Sequence, residues 1–349
     1  MGLEIAQEVL DAFGPLRGTL EVSPLGSGHI HETFLVKAQN GDYVLQAFNN
    51  EVFKQADQVA ANIEKVSVCL AASMSDLYPL DAERRYMKVI NSSQGPLFKD
   101  TQGGLWRLYD YIPSTYTIDA VASPKQAWEA ARAYGEFIQL LSPLALTDFH
   151  ETIVDFHYLP FRLEQFAAAL AQSDERKEQA ADLIERLPKA AQNLWDQLPL
   201  KQLPKRIVHN DTKINNVLLD VETQAGLCVI DLDTVMPGYL MYDYGDMVRT
   251  FVSPTAEDER DLSIIEVRPD ILSALTEGFL QGLGEHITEV ERETMSQGGK
   301  LMACIMALRF LTDFLNGNVY YKTHYPEQNL DRARNQFRLF ELLASVESP

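Results

Sequence analysis

The chain has 349 residues, 46% of them hydrophobic and 23% charged, with 50 acidic against 30 basic side chains and a formal net charge of −20. That length supports a substantial core and usually more than one folded unit. A field of that sign repels nucleic-acid backbones and anionic lipid surfaces, so neither is an expected partner; a metal-bound nucleotide stays admissible, because local groups govern that encounter.

Residues 3–13 read as an amphipathic helix with Ile5, Val9, Leu10 and Phe13 on one side. TLEVSPL and the turn Gly26-Ser27-Gly28 follow. Alternating patterns at Thr33–Lys37 and Tyr43–Phe48 predict two strands, and Asn40-Gly41 between them is a hairpin signal. A helix is expected across 52–71 and a further strand at Leu105–Ile112, stopped by Pro113. Beyond it the pattern turns helical: 124–141 with Pro124 at its first turn, one or two helices in 161–193, and another near 300–316. Short apolar runs at 206–209, 217–220 and 228–232 interrupt the helices as strands. The expected organisation is α+β, with a small antiparallel sheet in an N-terminal unit, residues 1–110, and a mainly helical unit, residues 111–349.

No apolar stretch reaches the length of a membrane span, and the N-terminus lacks the basic patch of a secretory signal. Cys69, Cys228 and Cys304 are far apart in apolar surroundings, as expected of buried thiols in a reducing compartment. A cytoplasmic location follows as the expectation.

The chemistry concentrates in IVHNDTKINNVLLD, residues 207–220, and CVIDLDTVMPGYLMYDYGD, residues 228–246. His209, Asp211, Asn216, Asp231 and Asp233 all stand at or near the ends of apolar strands, where polar groups need partners or a cation. Oxygen ligands without a second nearby histidine suit Mg²⁺ bridging phosphates rather than zinc. Turn-capping by Asp211 and Asn216 is the competing reading, weakened by the second acidic strand end.

These motifs resemble the aminoglycoside phosphotransferase/choline kinase superfamily, whose fold is like that of protein kinases. Its His-x-Asp with Asn five residues on is matched by His209, Asp211 and Asn216, its Ile-Asp strand end by Ile230-Asp231, and its later Asp by Asp243 or Asp246. The segments GSGHIHETFLV, YVLQAFN, NDTKINNVLLD, VIDLDTVMPG, YDYGD and RFLTDFLNGNVYY look like the N-acetylhexosamine 1-kinase branch, which moves phosphate from ATP to a sugar's anomeric hydroxyl.

The resemblance implies a two-lobed kinase-like fold using ATP and Mg²⁺ on a small hydroxylated acceptor. It implies that Asp211 is the catalytic carboxylate, with Lys213 beside the transferred phosphate, and that Asn216 and Asp231 hold Mg²⁺. Ser27, Gly28, Gln46, Tyr111 and Ile112 would meet the nucleotide; His29, His31, Asp233, Arg309 and Asp313 would meet the acceptor; His209, Asp243 and Asp246 would brace the loops. One departure stands out. Gln46 occupies the third-strand position where the superfamily carries a phosphate-binding lysine, leaving Lys37, Lys54 and Arg85 as candidate substitutes. Tyr158 also replaces the Asp or Asn expected after His157, Arg309 and Asp313 have a salt bridge as their ordinary alternative, and Tyr320 and Tyr321 could stack on a sugar or pack in the core. A kinase for choline, an aminoglycoside or another small alcohol, and a nucleotide-binding regulatory pseudokinase, are the alternative functions.

Overall fold

The computed structural model describes residues 5–19, 21–26, 30–172 and 176–345. In the N-terminal lobe, strands β1 (Glu21–Pro24), β2 (Glu32–Ala38), β3 (Gly41–Phe48), β4 (Val89–Ile90), β5 (Phe98–Lys99) and β6 (Leu105–Asp110) form one antiparallel sheet. Its order is β1-β2-β3-β6-β4, with β5 also on β6. The Asn40-Gly41 turn closes β2 on β3 in register from Ala38↔Gly41 to Glu32↔Ala47; Gly41, at φ +145°, takes a backbone conformation that side-chain-bearing residues rarely adopt.

Alternation decides what each face does. Phe34, Val36, Tyr43, Leu45, Trp106 and Leu108 turn outward to pack on Val9, Phe13 and Leu16 of the N-terminal segment, where helix α1 spans only Gln7–Ala12 before a 3-10 turn. Val44, Phe48 and Tyr109 turn the other way, toward helix α2 (Ala56–Leu77) and the C-terminal lobe. Gln46 and Arg107 share that inner face as direct cross-strand partners.

The C-terminal lobe begins with β7 (Thr115–Tyr116) and helix α3 (Pro124–Leu141), whose limits agree with the sequence reading. Ser123 caps it by accepting the Gln126 N–H, and Pro124 fits the first turn, where no amide partner is needed. Helices α4 (Leu159–Gln172), α5 (Ala181–Trp195), α6 (Leu240–Phe251), α7 (Pro269–Leu283), α8 (Glu289–Leu315) and α9 (Gln328–Ser345) complete the bundle. The helix expected near 300–316 is the end of the much longer α8, which starts at a Thr288/Glu291 capping box. Glycines bring helices close: a Cβ on Gly278 would lie 2.2 Å from the Trp128 carbonyl, and one on Gly245 2.2 Å from that of Gly298.

Between the helices lie β8 (Lys205–Val208), β9 (Val217–Asp220), β10 (Gly226–Val229) and β11 (Met236–Tyr239), which make two small antiparallel pairings, β9 with β10 and β8 with β11; β9 also takes β7. Two strands stop short of the sequence reading for one reason. Asn210 (φ +64°) and Asp231 (φ +61°) are left-handed, so the chain leaves the sheet just before each functional loop. Cys228 and Cys304 are buried and Cys69 half-buried, all as free thiols. No helix among the described residues is long and apolar enough to cross a membrane.

Candidate active site

The loop after β8 carries His209, Asn210 and Asp211, and the loop after β10 carries Asp231 and Asp233. The two are tied together: Thr234 Oγ1 donates to the His209 carbonyl at 2.7 Å, and Asn210 Nδ2 to the Thr234 carbonyl at 3.0 Å. Beneath them, at the start of α6, the fully buried Asp243 accepts the backbone N–H groups of His209 and Asn210, both at 2.7 Å. Burial raises the Asp243 carboxyl to about 6 even though His209 and those two N–H groups oppose the rise. His209 is itself enclosed; its Nδ1 accepts the Asp211 N–H, so its Nε2 carries the proton and donates to the Ile230 carbonyl at 2.9 Å. Both ring nitrogens are spent on shaping the loops. Asp246 binds Arg249 Nε at 2.8 Å, while its other oxygen is buried without a partner among the described residues.

Asp211 reaches the cleft with about a quarter of its side chain exposed, and Lys213 Nζ lies 2.9 Å from its Oδ1. Asn216 Nδ2 is committed to the Asp211 carbonyl (2.9 Å) and Oδ2 (3.3 Å), so Oδ1 is what Asn216 can offer a cation. Burial pushes the Asp211 carboxyl up, but Lys213 outweighs it and leaves the group below the usual carboxylate range. Asp231 is different. It is exposed, and partial desolvation in the cleft, then the carboxylates of Asp233 and Asp211, raise its carboxyl above the usual range, with Arg107 and His31 acting the other way. An exposed carboxylate just after one strand and an amide oxygen just before the neighbouring one are donors of the kind that suit a hard divalent cation. Among the described residues no three His, Cys, Asp or Glu side chains are grouped to hold a metal; a Mg²⁺ ion shared with nucleotide phosphates needs only one or two carboxylates from the protein.

Asp233 was expected to meet the acceptor, and its surroundings give it other work. It is 2% exposed, and both oxygens are bound by Arg107, the Oδ2 contact at 2.7 Å, while His31 Nε2 lies 2.8 Å from Oδ2. Burial pushes this carboxyl up; Arg107 and then His31 overcome it and hold it well below the usual range. Arg107 Nε donates to Gln46 Oε1 at 2.9 Å, and Gln46 Nε2 to Thr33 Oγ1 at 3.0 Å. Gln46 therefore orients an arginine on the neighbouring strand, and that arginine is the cation brought to the Asp231–Asp233 loop. Lys37 pairs with Glu21, Lys54 with Glu51, and Arg85 with Asp81 while stacking on Tyr78. Arg107 escaped the sequence reading, although a charge inside the apolar run LWRLYDYI was a signal that a buried partner was required.

His31 is likewise engaged within the protein. Its Nδ1 accepts the Asn49 N–H at 3.0 Å, its Nε2 faces Asp233, and its ring stacks on Phe48 and Phe53. In this arrangement neither nitrogen is left for an acceptor. Ser27, Gly28 and His29 lie outside the described residues. Ile112 is buried with Leu227 and Cys228, flanked by Met87, Leu218 and Ile230, an apolar wall beside the inter-lobe segment. The Tyr111 N–H is given to the Asp42 carbonyl at 3.1 Å. Asn62 of α2 was also missed; fully buried, it bonds the backbone of His150 and of Val235 and so joins the N-terminal lobe to the segment that follows Asp233.

Arg309 and Asp313 line a cavity of about 630 Å³ together with Phe156, Arg162, Tyr320 and Tyr321. They do not form the salt bridge their spacing allows. Asp313 accepts the N–H groups of Val319, Tyr320 and Tyr321 and the Asn329 amide, which holds the turn after α8. Arg309 lies 5.0 to 5.9 Å from the ring centres of Phe156, Tyr321 and Tyr320. Tyr320 is 59% exposed, whereas Tyr158 packs away from the cavity against Trp195. His157 connects this wall to the loop of His209–Asp211: its Nε2 donates to the Asn210 carbonyl at 2.8 Å, and burial, with Arg309 and Arg162 acting the same way, lowers it to about 3.

A small antiparallel sheet over a helical lobe, with the acidic loops between them, is the kinase-like fold. The sequence model of the phosphotransferase enzyme family (APH) matches residues 21–268, and the chain belongs to that family, within the aminoglycoside phosphotransferase/choline kinase superfamily. It is a phosphotransferase. Among solved structures it is similar to an aminoglycoside phosphotransferase from Alicyclobacillus acidocaldarius, at 12% identity over 99% of this chain and 96% of that one, TM-score 0.64. A spectinomycin phosphotransferase in complex with ADP and spectinomycin gives 12% identity, 98% of each chain and TM-score 0.61. The choline kinase LicA from Streptococcus pneumoniae gives 16% identity, 97% of this chain and 99% of that one, and TM-score 0.57. At such identities the likeness is one of fold.

Proposed function

We propose that the protein transfers the γ-phosphoryl group of ATP, as its Mg²⁺ complex, to a hydroxyl of a small sugar-like acceptor, working in the cytoplasm with residues 1–110 as nucleotide lobe and 111–349 as catalytic lobe. The observation that carries this reading is Asp211 held at the cleft with Lys213 reaching both carboxylate oxygens and Asn216 donating to Oδ2. Asp211 orients the acceptor hydroxyl for in-line attack and takes its proton as the new O–P bond forms; a strong base is not required when the transition state is largely dissociative. Lys213 keeps Asp211 ionised and places a cation beside the group in transfer. Asn216 Oδ1 and the Asp231 carboxylate would hold Mg²⁺, which supplies charge neutralisation at the phosphates. Arg107, through Asp233, fixes the loop that bears Asp231, and Asp243 and His209 fix the loop that bears Asp211. Ile112 and its apolar neighbours offer the adenine a wall.

The resemblance to N-acetylhexosamine 1-kinases directs the acceptor reading to the anomeric hydroxyl of such a sugar or a related one, and Tyr320 at the cavity mouth is a surface for a sugar ring. The test is ATP consumption with a panel of sugars, sugar derivatives and choline, followed by phosphorus NMR of the product to find the new C–O–P linkage. Mg²⁺-dependent turnover lost in Asp211→Ala supports the reading. Turnover unchanged in that variant refutes the role of Asp211, and nucleotide binding without turnover on any alcohol favours a regulatory protein.

A further inference from the structure

The cavity beside α8 has an electrostatic character opposite to that of the whole chain. Arg162 is 8% exposed, yet its partners are neutral: Nε and Nη2 donate to the Phe156 carbonyl at 3.1 and 2.6 Å, and Nη1 to Gln165 Oε1 at 2.7 Å. Arg309, half-buried in the same wall, has only the Met306 sulfur at 3.5 Å and the three aromatic rings. Neither guanidinium pairs with a carboxylate among the described residues, in a protein of net charge −20. The lining carboxylate, Asp313, is turned onto three backbone N–H groups and the Asn329 amide. Burial, and Arg309 next, pull the Arg162 guanidinium down to about 10; Tyr321, Tyr320 and Asp155 oppose this without cancelling it.

Two nearby arginines withdrawn from water and left without counter-charge are expensive unless a ligand supplies it. The same wall buries two hydroxyls, Thr312 Oγ1 and Tyr321 OH, with no partner among the described residues. We infer that the acceptor carries an oxyanion, a carboxylate or a phosphate ester, which Arg309 binds against the Phe156, Tyr320 and Tyr321 rings with Arg162 behind it. This rests on the kinase reading of the site and moves its acceptor from a neutral N-acetylhexosamine to a related acidic sugar or polyol. It also argues against choline and aminoglycosides, whose positive charges would meet two arginines.

The test separates the two levels. Calorimetric titration of the full chain with D-glucuronate, D-glucose 6-phosphate, D-glucose and choline reads binding without requiring turnover. One of the two anions should bind about 10- to 100-fold tighter than glucose, the scale of hydrogen bonds to a charged group, and the better one tells carboxylate from phosphate. Arg309→Gln should remove that preference, and Arg309→Lys should retain part of it while controlling for folding. Glucose or choline binding as tightly as both anions overturns the inference, as does a preference that survives in folded Arg309→Gln. Anion binding without ATP turnover on any acceptor overturns the kinase reading and leaves the anion site standing.

Discussion

Replacing Arg107 with Met tests the inter-lobe clasp directly. Met roughly keeps the aliphatic volume but leaves Asp233, 2% exposed, with His31 as its remaining side-chain partner. Breaking a buried pair from one side costs about 3–5 kcal/mol, because an uncompensated charge stays buried. With roughly 2.1 cal/mol/K of unfolding entropy per residue over a chain of this size, that loss corresponds to a fall in Tm of about 4–7 °C. Removing both partners, as in Arg107→Met with Asp233→Leu, should cost much less, since no charge is stranded. Differential scanning calorimetry of the four proteins of this cycle measures the coupling. The pair also sets an acid limit. The carboxyl of Asp233 lies below its unfolded value, so the stability it contributes is present above about pH 4 and is lost as pH falls toward the folded value; R107M should shift acid unfolding to higher pH. Because Arg107 steadies the loop of Asp231, the KM for ATP should rise as well. An R107M protein that melts within about 1 °C of the parent, or a double variant as damaged as the sum of the singles, would refute the clasp.

Asp211→Asn should lower kcat by at least about 10²-fold, the usual scale for a positioned base, with little change in nucleotide affinity measured by titration with ADP. In Lys213→Met the main opposing cation at Asp211 is gone while burial still raises its carboxyl and His209 and Arg249 remain, so the acidic limb of the kcat/KM profile should move to higher pH. A limb that stays in place would show that Lys213 does not govern that ionisation. Gly245→Ala would put a methyl 2.2 Å from the Gly298 carbonyl across α6 and α8; a loss of about 1–3 kcal/mol in urea unfolding is expected from such overpacking.

Some of the site was readable before any coordinates. The spacing of His209, Asp211 and Asn216, and the acidic ends of two apolar runs, lie within one short stretch of chain, where local pattern and chemistry coincide. The same holds for the β2–β3 hairpin, where Asn40-Gly41 and alternation agree, and for α3, where Ser123 and Pro124 mark the start. The harder cases are side chains whose partners are far away in sequence. Gln46 looked like a missing lysine until its neighbour on β6 proved to be Arg107; Arg107 and Asp233 are 126 residues apart. The pairing of His31 and Asp233 with each other and with Arg107 was invisible for the same reason, because a polar residue's type reveals its capacity for hydrogen bonds and not who satisfies it.

By itself, then, the sequence determined the class of chemistry and pointed to the groups proposed for its centre, because the motifs that carry both are local arrangements of residue types at short spacing. Tertiary structure decided which cation braces the Asp231–Asp233 loop, that Asp313 serves the turn after α8 and not Arg309, and that Arg162 and Arg309 share one wall without a carboxylate partner among the described residues. Those outcomes depend on long-range packing and desolvation, which bring residues from separate elements into one low-dielectric space and leave only some of them paired.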